Sequence, residues 1–121
     1  MVEKIGLSAA WELIDISPYL LEFDRVLEHF SKTLGLKYMS NAHYRYSRTA
    51  GLFIRFSMLP SLEFQVFVFR HVAHHHDHLR TFNVFASSSN MATPEYLGDY
   101  SGATEVVQRI GYRLIDMGLA A

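Results

Sequence analysis

The stretch LFIRFSMLPSLEFQVFVFRHV, residues 52–72, decides the fold. In it Leu52, Ile54 and Phe56, and then Leu62, Phe64, Val66 and Val68, occupy every second position. Successive side chains of a strand point to opposite faces, so this period of two reads as two strands, 52–58 and 62–72. Leu59-Pro60-Ser61 supplies the break between them, because proline cannot extend a central ladder. Thr49-Ala50-Gly51 supplies the break before them, since glycine admits positive φ.

Working outward, residues 43–48 and 80–88 have the same strand-like composition, which makes the middle of the chain an antiparallel meander of short-connected neighbours. Upstream, residues 10–16 (AWELIDI) read as a first strand that stops at Ser17-Pro18. Ser17 is expected to cap a helix, with Pro18 at its first position, where a missing N–H costs nothing. The spacing of Leu20, Phe23, Leu27, Phe30 and Leu34 predicts a helix over 17–35, with Glu22, Arg25, Glu28, Ser31 and Lys32 on its polar side and Gly35 as its C-terminal cap.

Downstream, SSNMATPEYLGDYSG reads as a loop, long for a compact domain. A second helix is expected over 102–118, where Val107, Ile110, Leu114 and Met117 repeat the three-four spacing. The resulting order is β-α-β-β-β-β-α. A single α+β domain follows, with an antiparallel sheet of four to five strands and two helices packed on one face. With 121 residues, the chain is long enough to bury a core of its own.

Alternation divides the sheet into two sets of side chains. Leu52, Ile54, Phe56, Phe64, Val66, Val68, Phe82, Val84 and Ala86 are uniformly apolar and are expected to meet the helices. The opposite set is mixed and includes Phe53, Arg55, Gln65, Phe67, Phe69, Asn83 and Phe85. In a two-layer fold this second face would lie open, and its phenylalanines exceed what a monomer usually exposes. Aromatic rings and arginine amid uncharged polar groups suit an interface core, so these seven residues are the candidate binding surface for a protein partner or a second copy of the chain. The alternatives are a cover formed by the chain itself, or bases stacked on the rings as on RNA-binding sheets.

Nucleic acid is disfavoured by charge: 11 Lys and Arg stand against 12 Asp and Glu, with no basic cluster. The absence of cysteine excludes disulfides, thiolate catalysis and cysteine-ligated metals. No apolar run approaches the roughly 18 residues of a membrane span. The first residues, MVEKIGLSAAWELIDI, lack the basic-then-apolar order of a signal peptide, so the expected compartment is the cytoplasm.

One segment carries metal-ligating side chains. Residues 69–82, FRHVAHHHDHLRTF, contain His71, His74, His75, His76 and His78. On a strand His74, His76 and His78 would share a face, which makes them the candidate ligands for zinc or another transition metal. A hairpin tip with splayed, solvated imidazoles accounts for the same residues, as does a proton-sensitive element, given an ordinary histidine pKa near ~6.5. The run resembles in part the H-x-H-x-D-H signature of metallo-β-lactamase-like hydrolases, but Ala73 stands at the first ligand position and no histidine follows His78. The chain is not assigned to that family. Phosphate-binding glycine loops, H-E-x-x-H and G-x-S-x-G are all missing from the sequence. The expectation is therefore a binding module of the inhibitor, immunity-protein or chaperone kind, without a cofactor and without catalysis. A metal-binding protein organised by the histidines is the alternative.

Overall fold

The computed structural model describes residues 10–33, 42–56, 59–72 and 80–117. Among them six strands form one antiparallel sheet: β1 (Trp11–Ile14), β2 (Ala42–Ser47), β3 (Gly51–Phe56), β4 (Leu59–His71), β5 (Arg80–Ser88) and β6 (Glu95–Tyr100). A 3-10 turn, Ser17–Tyr19, leads into α1 (Leu20–Thr33), and α2 (Ala103–Asp116) follows β6.

The long strand β4 organises the sheet, whose order is β2-β3-β4-β5-β6. Along one edge β4 pairs with β5 from Leu62↔Ser88 to Arg70↔Arg80. Its other edge is shared end to end: β3 pairs with the first half, through Leu52↔Val66 and Ile54↔Phe64, and β1 with the second, through Trp11↔His71 and Ile14↔Val68. β2 and β6 are the outer strands.

Both helices lie on one face, as the alternation predicts. Leu52, Ile54, Phe56, Phe64, Val66, Val68, Phe82, Val84 and Ala86 all join a single core with Phe23 and Leu27 of α1 and Val106, Val107, Ile110 and Leu114 of α2. Phe82 makes T-shaped contacts with Tyr19 and Phe23 at centroid distances of 5.4 and 5.6 Å. Each such ring contributes about 1.5–3 kcal/mol by leaving water. Arg113 of α2 grips Glu95 of β6 with two hydrogen bonds of 3.1 and 2.8 Å, tying the last helix to the outer strand.

Four details differ from the sequence reading. Residues 95–100, expected as loop, form β6 and raise the sheet to six strands. The ladder between β5 and β6 slips at Val84/Phe85, which turns Leu97 into the core beside a left-handed Gly98 (φ 117°). That bulge destroys the two-residue period by which a strand is recognised. The second correction is at Leu59-Pro60-Ser61, expected as a break, which lies inside β4 at its start. A strand beginning tolerates proline because the lost N–H is not needed by a central ladder.

The remaining differences concern α1. Its α-helical turns begin at Leu20, and Ser17 does not cap them; instead the Ser17 N–H donates to Asp15 Oδ1 at 2.9 Å. Ser31, expected on the polar side, is buried and donates its hydroxyl to the Glu28 carbonyl at 2.8 Å. Leu34 and Gly35 lie outside the described residues, as does Gly118 beyond α2.

One glycine is required by the sheet itself. Gly51, at φ 75°, opens β3 directly after the β2 turn, and a Cβ there would meet the Val66 carbonyl oxygen at 2.3 Å. Left-handed backbone and this close approach to β4 exclude a side chain.

Candidate functional site

Antiparallel register places the far side of the sheet residue by residue. The pairs His43↔Arg55, Arg45↔Phe53, Phe53↔Gln65 and Arg55↔Glu63 share that side, and so do Gln65↔Phe85, Phe67↔Asn83, Phe69↔Thr81, Leu13↔Phe69 and Trp11↔His71. All seven sequence-selected residues therefore lie on one face. They do not form one surface.

Toward β1 the face is closed. Phe67 and Phe69 are 2% and 0% exposed and form a small second core with Trp11 and Phe85. The expectation that these rings lie open is thus corrected: four aromatic side chains from β1, β4 and β5 shield one another. Phe67 meets Phe85 edge-on at 6.1 Å, and Trp11 meets His71 edge-on at 5.1 Å. Such edge-to-face pairs add about 0.5–1.5 kcal/mol beyond the area they bury.

Two of the polar candidates hold the fold. Gln65 donates from Nε2 to the Ala50 carbonyl at 2.9 Å, which anchors the turn between β2 and β3. Asn83 is fully buried and donates from Nδ2 to Asp99 Oδ1, which also accepts from the Tyr96 hydroxyl. Partial burial, followed by this hydrogen bond to Asp99, holds the Tyr96 phenol above its ordinary pKa. Asn83 Oδ1 is buried with no hydrogen-bond partner among the described residues. A group of that kind costs a fold about 1–3 kcal/mol.

The other end of the face, on β2 and β3, is open and charged. Glu63 of β4 receives Arg45 Nη2 at 3.3 Å and Arg55 Nη2 at 3.1 Å. The Arg45 guanidinium also lies over the Phe53 ring, 4.3 Å from its centroid. These side chains, with His43 and Tyr44, line a surface depression of about 210 Å³. The depths are unequal: the Glu63 side chain is 19% exposed, against 67% for Arg45 and 51% for Arg55. A carboxylate forms the floor and two guanidinium groups form the rim. Exposed ion pairs contribute about 0–1 kcal/mol to stability, so this arrangement matters more for what the face attracts than for the fold.

β2 is exposed on its other side as well. Tyr44 and Tyr46, which point toward the helix layer, remain 37% and 51% exposed. Tyr44 donates to Asp24 Oδ1 of α1 at 3.5 Å. Burial of its ring, then the negative charge of Asp24, raises the phenol above its ordinary pKa.

Sequence reasoning found Phe53 and Arg55 but missed Arg45 and Glu63. The available signal was the hairpin: with Ser47 opposite Gly51, Arg45 falls across from Phe53. Trp11 and Tyr96 were missed because their places depend on β1 docking against β4 and on the β6 bulge. His74, His76 and His78 lie outside the described residues, as does Asp77. Among the described residues no group of three or more His, Cys, Asp or Glu side chains is placed to hold a metal ion, and no helix is long and apolar enough to cross a membrane. Compared with known proteins, the chain matches no family model, no curated protein and no solved structure.

Proposed function

We propose that this chain is a small protein-binding module, of the inhibitor, immunity-protein or chaperone kind, whose contact surface is the β2–β3 end of the sheet rather than the whole aromatic face. The observation that carries the reading is the concentration of Tyr44, Tyr46, Arg45, Phe53 and Arg55 on two adjacent strands, with both tyrosines and both arginines more than a third exposed. Tyrosine, phenylalanine and arginine are among the side chains enriched at interfaces. An outer strand is also where a sheet accepts contact from another chain.

The test is isolation of the tagged protein from its own cells, followed by mass measurement of the complex. A partner, or a second copy of the chain, is expected with the wild type and with Tyr112→Ser on the exposed side of α2. It is expected to be lost in the double variant Tyr46→Ser with Phe53→Ser, whose circular dichroism stays that of the wild type. A purely monomeric wild type, or a complex that survives the double substitution, overturns the reading.

A further inference from the structure

We propose that the cleft between Arg45 and Arg55 receives carboxylate side chains from an acidic segment of the partner protein. The inference rests on the protein-binding reading above and specifies the chemistry of what binds. Two guanidinium groups share the single carboxylate of Glu63, so the cluster keeps one net positive charge. The sign of the field at the mouth follows from depth: the negative group lies at the floor and both positive groups at the rim.

Each arginine reaches Glu63 through Nη2 alone. Their Nη1 and Nε donors have no partner among the described residues, and a guanidinium offers five N–H donors in a planar fork that matches a carboxylate bidentately. Stacking on Phe53 holds Arg45 in a defined plane, which lowers the entropy lost when a second anion is gripped. The depression of about 210 Å³ has room for a side-chain carboxylate above Glu63.

The chain as a whole is slightly acidic, with a formal charge of −1, so attraction is local to this cleft rather than spread over the molecule. Screening acts over roughly 8–10 Å at ordinary ionic strength, which makes salt a direct probe.

The experiment uses two labelled hexapeptides, alternating Glu-Val and alternating Gln-Val, with fluorescence anisotropy as the readout. The Glu peptide is expected to bind at least tenfold more tightly than the Gln peptide and to weaken as sodium chloride is raised. In the double variant Arg45→Gln with Arg55→Gln, binding of the Glu peptide should fall tenfold or more while the denaturation midpoint stays near that of the wild type. Arg45→Lys with Arg55→Lys should retain part of the affinity, because charge is kept and the fork is lost.

Equal binding of the two peptides, or binding indifferent to loss of both arginines, overturns the proposal. So does inorganic phosphate that displaces the Glu peptide more effectively than free glutamate at matched ionic strength, since the cleft would then select phosphate. The two readings fail separately. A cellular complex lost on Tyr46→Ser with Phe53→Ser, combined with charge-indifferent peptide binding, leaves protein binding standing and removes the acidic partner. Arginine-dependent peptide binding, combined with a complex that survives the double substitution, removes the contact surface on which this inference rests.

Discussion

Phe69 and Phe53 sit on the same face of the sheet and occupy opposite environments. Phe69 is fully buried in the second core, whereas Phe53 lies beneath the Arg45 guanidinium at the rim of the cleft. Truncation of a buried phenylalanine removes its transfer energy and leaves a cavity, so Phe69→Ala should cost about 3–5 kcal/mol in urea denaturation. Phe53→Ala should cost about 1 kcal/mol or less, in line with loss of one exposed cation-π contact. Similar losses at the two positions would show that the closed and open halves of the face are not distinct. Alternation identified both residues as facing away from the helices, but it carries no information on what covers them. That depends on Trp11, which reaches Phe69 only because β1 docks on β4.

At the level of elements, the start of α1 depends on Asp15. Its carboxylate accepts the Ser17 N–H, and this backbone hydrogen bond, then one from the Ser17 side chain, holds its pKa below the ordinary 3.8. A carboxyl depressed by folding contributes stability that is complete above its unfolded-state pKa and is lost as pH falls through the lower folded-state value. Asp15→Ala should therefore lower the urea midpoint at pH 7, and the gap to the wild type should narrow as pH falls below 3.8. A gap of constant size across that range would show that the carboxylate charge is not what matters at this turn. The sequence pointed to the helix and its apolar stripe but assigned its cap to Ser17, because Ser17-Pro18 is a stronger local signal than an Asx turn two residues upstream. β6 was illegible for a different reason. Leu97 in the core and Gly98 at positive φ interrupt the alternation, and the pairing with β5 is a long-range fact that no local pattern contains.

At the scale of the whole molecule, every element is organised around β4, and its shared edge sets the order in which the fold closes. β3 and β5 are joined to β4 by short connections, whereas the Glu12–Arg70 ion pair at the β1 junction spans 58 positions of sequence. Closing so long a loop costs entropy before any contact repays it, so the meander of β2 to β5 should form first and β1 should add last. The same imbalance persists in the native state, where a four-residue strand held on one edge opens more readily than the centre of the sheet. In hydrogen exchange, the Val72 amide, which donates to the Ala10 carbonyl at 2.7 Å, should exchange faster than amides of β4 paired with β5. Equal protection along β4 would mean that β1 and the meander open as one unit. During synthesis the asymmetry becomes a delay. Trp11 emerges from the ribosome long before His71, its partner across the β1–β4 ladder, so an aromatic strand made first must wait, without its seat, until the strand that receives it has been translated.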